Sequence, residues 1–138
     1  MGAATFDTHS KHAETHGQLM DELDGALSAF HDDMVRQGAG DKVLVCTASE
    51  FGRRPKQNGD GLDHGTASSM LMLGPTVPGH HGEPSPVDGL DDLGDLVATV
   101  EFDRYLATMA EWLEVDPGQV LSPRAAGVAA PVPGLLSA

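Results

Sequence analysis

Two short motifs in this chain set a carboxylate beside an imidazole: Phe6-Asp7-Thr8-His9-Ser10 and Leu62-Asp63-His64-Gly65. Oxygen and nitrogen donors of this kind suit a divalent ion such as zinc or manganese. Asp7 and His9 are two apart, so in an extended segment they share a face and can converge on one ion. Asp63 and His64 are adjacent, so a shared role requires a turn, which Gly61 and Gly65 permit. Each pair alone also fits an ordinary turn, with Asp7 as a cap and His9 exposed, or with Asp63 in a Gly-rich bend. Together they point to a metal site with Asp7, His9, Asp63 and His64 as ligands.

Other groups could complete such a site. Glu50-Phe51-Gly52-Arg53-Arg54 follows an apolar run directly. There Glu50 could act as a ligand or hold one, and Arg53 could bind an anionic group. A surface ion pair at helical spacing is the plainer alternative. His12 and His16 are four apart, without the Glu directly after the first His that a zincin motif needs. His16, His80 and His81 remain open as a further ligand, and His31 reads as part of a solvated helix face. No Walker-type loop and no G-x-S-x-G elbow is present, so the chain offers metal ligands but no evident nucleophile.

The elements that would position these residues follow from periodicity. Residues 2–6 read as the end of a strand leading to Asp7. Leu19, Leu23, Ala26, Leu27, Phe30 and Met34 mark one face of a helix over residues 14–37, stopped by Gly38 and Gly40. Val43-Leu44-Val45-Cys46 reads as a strand covered on both faces. Strand, helix and buried strand in that order predict a crossover, parallel pairing and an α/β fold. Residues 48–68 read as a long functional surface loop, and residues 70–73 as another short strand. Phe102, Leu106, Met109 and Leu113 mark a second helix, and Asp116-Pro117 a cap with proline in the next first turn. Residues 122–138, rich in Ala, Gly and Pro, read as a disordered tail.

Composition narrows the class. The 138 residues make one domain or part of one, 40% apolar but only 4% aromatic. The net charge of -13 supplies no basic face for nucleic acid or an anionic membrane. Cys46 is the only cysteine, so no disulfide forms within the chain, and its apolar setting suggests an inert thiol. No stretch reads as a membrane span or signal peptide.

The runs FDTHS, LMDELDGALSAF, VLVCTASEFGRR, NGDGLDHGTAS and LMLG, followed by GDLVATVEFDRYLATMAEWLEVDP, resemble the C-terminal half of the bacterial domain of unknown function 1501 family. The resemblance covers residues 3–121, and SEFGRR followed by DHGTA carries most of it. That family is similar to the alkaline phosphatase and sulfatase superfamily, which holds metal ions with Asp and His at strand ends. The resemblance implies a partial alkaline-phosphatase-like parallel sheet over residues 1–121, with flanking helices and the N-terminal half missing. Asp7, His9, Asp63 and His64 then match metal-ligand positions. The superfamily's nucleophile precedes this segment, so the chain is expected to be a fragment. Full-length relatives are often exported by the twin-arginine route.

The resulting expectation is a metal-bearing fragment of a hydrolase-like protein, whose parent cleaves a small phosphate or sulfate ester with divalent ions. The alternative is a non-catalytic remnant or binding module. In either case an exposed sheet edge would need an oligomer or a partner chain to cover it.

Overall fold

The computed structural model describes residues 5–122 and 130–137. It divides into two compact units, Met1–Gly74 with Pro86–Val97, and Pro75–Ser85 with Ala98–Ala138. The architecture is mixed α/β, with small antiparallel sheets and helices.

In the first unit, helix α1 spans His12–Arg36. Most of the expected stripe forms its covered side: Leu19, Leu23, Leu27 and Met34 are half-buried, although Ala26 is exposed and Phe30 stays 43% exposed. The helix begins without a side-chain cap, at Lys11 with φ 51°. The His12 N–H instead donates to the Asp60 carbonyl at 2.9 Å, which ties the helix start to a turn far along the chain. At the other end Gly38 takes φ 70°, while Ala39 N–H reaches Met34 O and Gly38 N–H reaches Val35 O. That is the Schellman arrangement glycine favours.

The strands depart from expectation. Strand β1 is only Val45–Cys46, half-buried rather than covered on both faces, and pairs antiparallel with β4, Met72–Leu73. No parallel pairing occurs among the described residues, so the expected alkaline-phosphatase-like parallel sheet is replaced by two-stranded antiparallel ones. Helix α1 enters β1, but no strand among residues 5–11 exists to pair with it. Residues 2–4 of the strand expected there lie outside the described residues.

The stretch expected to be one long loop contains a hairpin. Strand β2, Gly52–Asn58, pairs antiparallel with β3, Gly61–Gly65. Asn58 faces Gly61 across a two-residue turn in which Gly59 takes φ 64°. Glycine tolerates that backbone at little cost. Pro55 sits in the register shift between Arg53 and Gln57, where its missing N–H interrupts the ladder. The hairpin hides from a hydrophobic pattern because its tip is solvated; only Gly52 and Gly61 are buried in it. Arg54 of β2 meets Asp95, which is 4% exposed, with Nη2 3.2 Å from Oδ2 and Nε 3.0 Å from Oδ1.

In the second unit, helix α2 covers Phe102–Trp112 and the short α3 covers Pro117–Val120. Asp116 caps α3 as expected, accepting from Gly118 N–H at 2.9 Å, with Pro117 in the first turn. The buried residues of α2 are Tyr105, Ala107, Thr108 and Ala110; of the expected stripe Leu106 and Met109 are half-buried, while Phe102 is 45% exposed and Leu113 60%. Small residues face inward because residues 130–132 lie close against them. Thr108 Oγ1 accepts from Val132 N–H and donates to Arg104 O, both at 2.9 Å. Of the segment expected to be a loose tail, residues 130–137 include buried Val132 and a bridge from Leu136 to Thr76; residues 123–129 lie outside the described residues. Among the described residues, no helix is long and apolar enough to cross a membrane.

Candidate metal centre

The hairpin is the platform of the site, and the segment before α1 is laid across it. A side chain at Gly61 would overlap the His9 carbonyl, so the bare glycine lets the His9 backbone lie against β3. Arg53 of β2 fastens the same segment. Its guanidinium donates to Leu62 O at 2.7 Å, to Phe6 O at 2.9 Å and to Asp7 Oδ1 at 3.3 Å. Thr8 Oγ1 lies 2.5 Å from His12 Nδ1, linking the segment to the first turn of α1.

These constraints bring three of the four expected ligands together. Asp7 Oδ1 lies 2.7 Å from His64 Nε2 and 3.0 Å from His9 Nε2, and the two Nε2 atoms are 3.0 Å apart. All three side chains are about half exposed, at 44%, 51% and 45%. Donors around a tetrahedral ion at zinc distances are separated by roughly 3.3 Å. The observed triangle is slightly tighter, so the donor types and their spacing fit one divalent ion. His64 is further fixed by the Phe51 ring, stacked parallel at 3.8 Å between centroids, and Arg53 sits over that ring at 4.9 Å.

Asp63 is placed differently. Neighbours on a strand point to opposite faces, and Asp63 lies outside the three-donor group. It accepts from Asn58 Nδ2 at 3.0 and 3.1 Å through its two oxygens, and its Oδ1 is 3.9 Å from His9 Nδ1. Glu50 is exposed ahead of β2 and is not in the group either. Arg53, expected to bind an anion, makes its contacts within the protein. His16 stacks on His12 at 4.7 Å and meets the edge of Phe6 at 6.4 Å. His80 and His81 belong to the second unit, where His81 Nε2 lies 2.9 Å from Val77 O.

The electrostatics follow from these contacts. The hydrogen bond from His64 holds the Asp7 carboxyl below the usual carboxylate range, with the charges of His9, His64 and Arg53 adding to it and partial desolvation opposing. Asp7 therefore stays anionic to lower pH than an ordinary carboxyl. His12 is held below the usual imidazole range, first by desolvation and then by the nearby charge of His16 and Arg53.

Sequence reasoning missed Phe51 and Asn58 as parts of the site and gave Gly61 only as a residue that permits a turn. Asn58-Gly59 is a strong hairpin signal, and it sets Asn58 opposite Gly61.

No curated protein and no solved structure matches the chain. A family model matches residues 1–124, nine-tenths of the sequence, and the chain belongs to that family, described as protein of unknown function (DUF1501).

Proposed function

We propose that Asp7, His9 and His64 bind one divalent metal ion, zinc or manganese, as the working centre of a hydrolase-like protein. The observation that carries this reading is the convergence of one carboxylate oxygen and two imidazole nitrogens at 2.7 to 3.0 Å from separate parts of the chain. Without a cation, each Nε2 brings at most one proton, so the three mutual contacts cannot all be hydrogen bonds. A bound divalent ion satisfies all three lone pairs at once.

The resemblance to the alkaline phosphatase and sulfatase superfamily supports a phosphate or sulfate ester as the substrate. When bound, the ion would polarise the ester oxygen and stabilise developing charge. In this chain Asp7 contributes the negative charge, and His9 and His64 contribute neutral donors. Arg53 holds Asp7 in place, and Phe51 covers one face of His64.

The second reading is a metal-binding module without catalysis. The engagement of Arg53 with Phe6, Leu62 and Asp7 favours it, because the guanidinium beside the three donors makes its hydrogen bonds within the protein.

The test is metal content after purification without chelator, followed by zinc titration of the stripped protein. We expect close to one ion per chain and its loss in His64→Ala. No bound metal, and no zinc uptake on titration, would sink the proposal. Ester turnover by the loaded protein would separate the first reading from the second.

A further inference from the structure

His9 presents its two ring nitrogens to two different partners. Nε2 faces Asp7 and His64, and Nδ1 faces Asp63 Oδ1 at 3.9 Å. A neutral imidazole that gives one nitrogen to a metal carries its proton on the other. Metal-bound histidines almost always donate that proton to a carboxylate, carbonyl or water, which sets the ring's tautomer and direction. Asp63 is on the correct edge of the ring for this and on the wrong edge for the ion.

Asp63 is itself held. Asn58 and Gly61 are paired across the hairpin, and Asp63 lies two residues beyond Gly61 on the same face of β3. From there the Asn58 amide donates to both Asp63 oxygens. Those bonds hold both carboxylate oxygens from the Asn58 side, with Oδ1 3.9 Å from His9 Nδ1. The 3.9 Å separation is longer than a hydrogen bond, so for that bond to form Asp63 and His9 must close by about 1 Å when the ion binds.

We infer that Asp63 is not a ligand but the positioning carboxylate that orients His9, with Asn58 holding Asp63 in turn. The inference rests on the metal-site reading above. It also divides the Asp63-His64 pair, giving His64 to the ion and Asp63 to the back of a second ligand.

Cobalt(II) titration of the full chain, read by visible absorption, tests it. The wild-type chain should take up one cobalt ion with a spectrum set by one oxygen and two nitrogen donors plus solvent. Asp63→Asn should keep that stoichiometry and band position while binding 10- to 100-fold more weakly. Asn58→Ala should weaken binding in the same sense but less, and the double variant should bind no worse than Asp63→Asn alone. Circular dichroism verifies folding, and Asp63→Glu provides a charge-retaining comparison should Asp63→Asn fail to fold. A shifted band or changed intensity in Asp63→Asn would make Asp63 a ligand, and unchanged affinity would give it no role; either outcome overturns the inference. Failure of the wild-type chain to bind cobalt would overturn the metal reading itself, and the inference with it.

Discussion

Asp7 Oδ1 and His64 Nε2 meet at 2.7 Å although 57 residues separate them in the chain. Helix α1 and most of the hairpin lie between them. The contact exists because a backbone segment can lie directly on β3 at Gly61 and because Arg53 holds that segment there. Both conditions can be removed one at a time.

Gly61→Ala places a methyl group where the His9 carbonyl lies, and both neighbours there are backbone. Overpacking against backbone costs about 1–3 kcal/mol. The expected outcome is a lower thermal midpoint together with loss of zinc binding, since His9 and Asp7 must move off the hairpin. Gly59→Ala is the control. It has open space around it but a φ of 64°, so it should cost about 1 kcal/mol and leave zinc binding intact. Equal zinc affinity in both variants would argue against the role given to Gly61.

Arg53→Lys keeps the positive charge but not the planar fork that reaches Leu62 O, Phe6 O and Asp7 Oδ1 together. Its side chain is only 17% exposed, so the lost bonds are poorly replaced by water. Zinc affinity should fall by about tenfold, in the range typical of groups that support a ligand. If Arg53 instead served mainly as a charge, the lysine variant would bind zinc as the wild type does.

The sequence shows helices better than strands, and particular residues explain why. Leu19, Leu23, Leu27 and Met34 mark α1 because helical spacing survives even where the covering layer is thin. Asp116-Pro117 marks the start of α3 because capping is a local effect. The parallel sheet was a false expectation because Val43-Leu44-Val45-Cys46 is as apolar as a central strand but pairs over only two residues. Apolar runs report burial, not the direction of a neighbour. At the site, Asp7, His9 and His64 are visible as donor types, but the separation of Asp63 from them depends on strand alternation. The adjacency of Asp63 and His64 already requires a turn for a shared role, and the chain forms the extended strand β3 there instead.

Stability in the presence of chelator should fall in acid in two stages. His12 has its folded pKa below the ordinary 6.5, so the unfolded chain takes up that proton first. Its contribution is present above pH 6.5 and is lost as the pH falls through the folded value. Asp7 is likewise lowered, from 3.8, so its contribution is lost only in stronger acid, below that value. Urea unfolding across this range should show a decline beginning near pH 6.5, and His12→Gln should remove the upper stage. A wild-type curve that is flat from pH 7 to 5, or one that His12→Gln leaves unchanged, would contradict the role assigned to His12.

Helix α2 ends on a residue in a backbone conformation that suits glycine better. Glu114 follows the C-cap Leu113 and takes φ 56°. Its N–H reaches Glu111 O at 3.0 Å, and the Val115 N–H reaches Ala110 O at 2.9 Å. This is the bond pattern seen after α1, where Gly38 fills the equivalent place. A side chain in the left-handed region costs about 1–2 kcal/mol, while glycine's greater freedom in the unfolded chain returns roughly 0.5–1 kcal/mol of that gain. Glu114→Gly should therefore stabilise the protein by about 0.5–1 kcal/mol without touching zinc binding. Leu113→Gly, one residue earlier at φ -79°, should do the opposite, because nothing there is strained and only the entropic loss remains. Chemical denaturation of the two variants decides the matter: if Glu114→Gly is no more stable than the wild type, the left-handed residue at this helix end is not a source of strain.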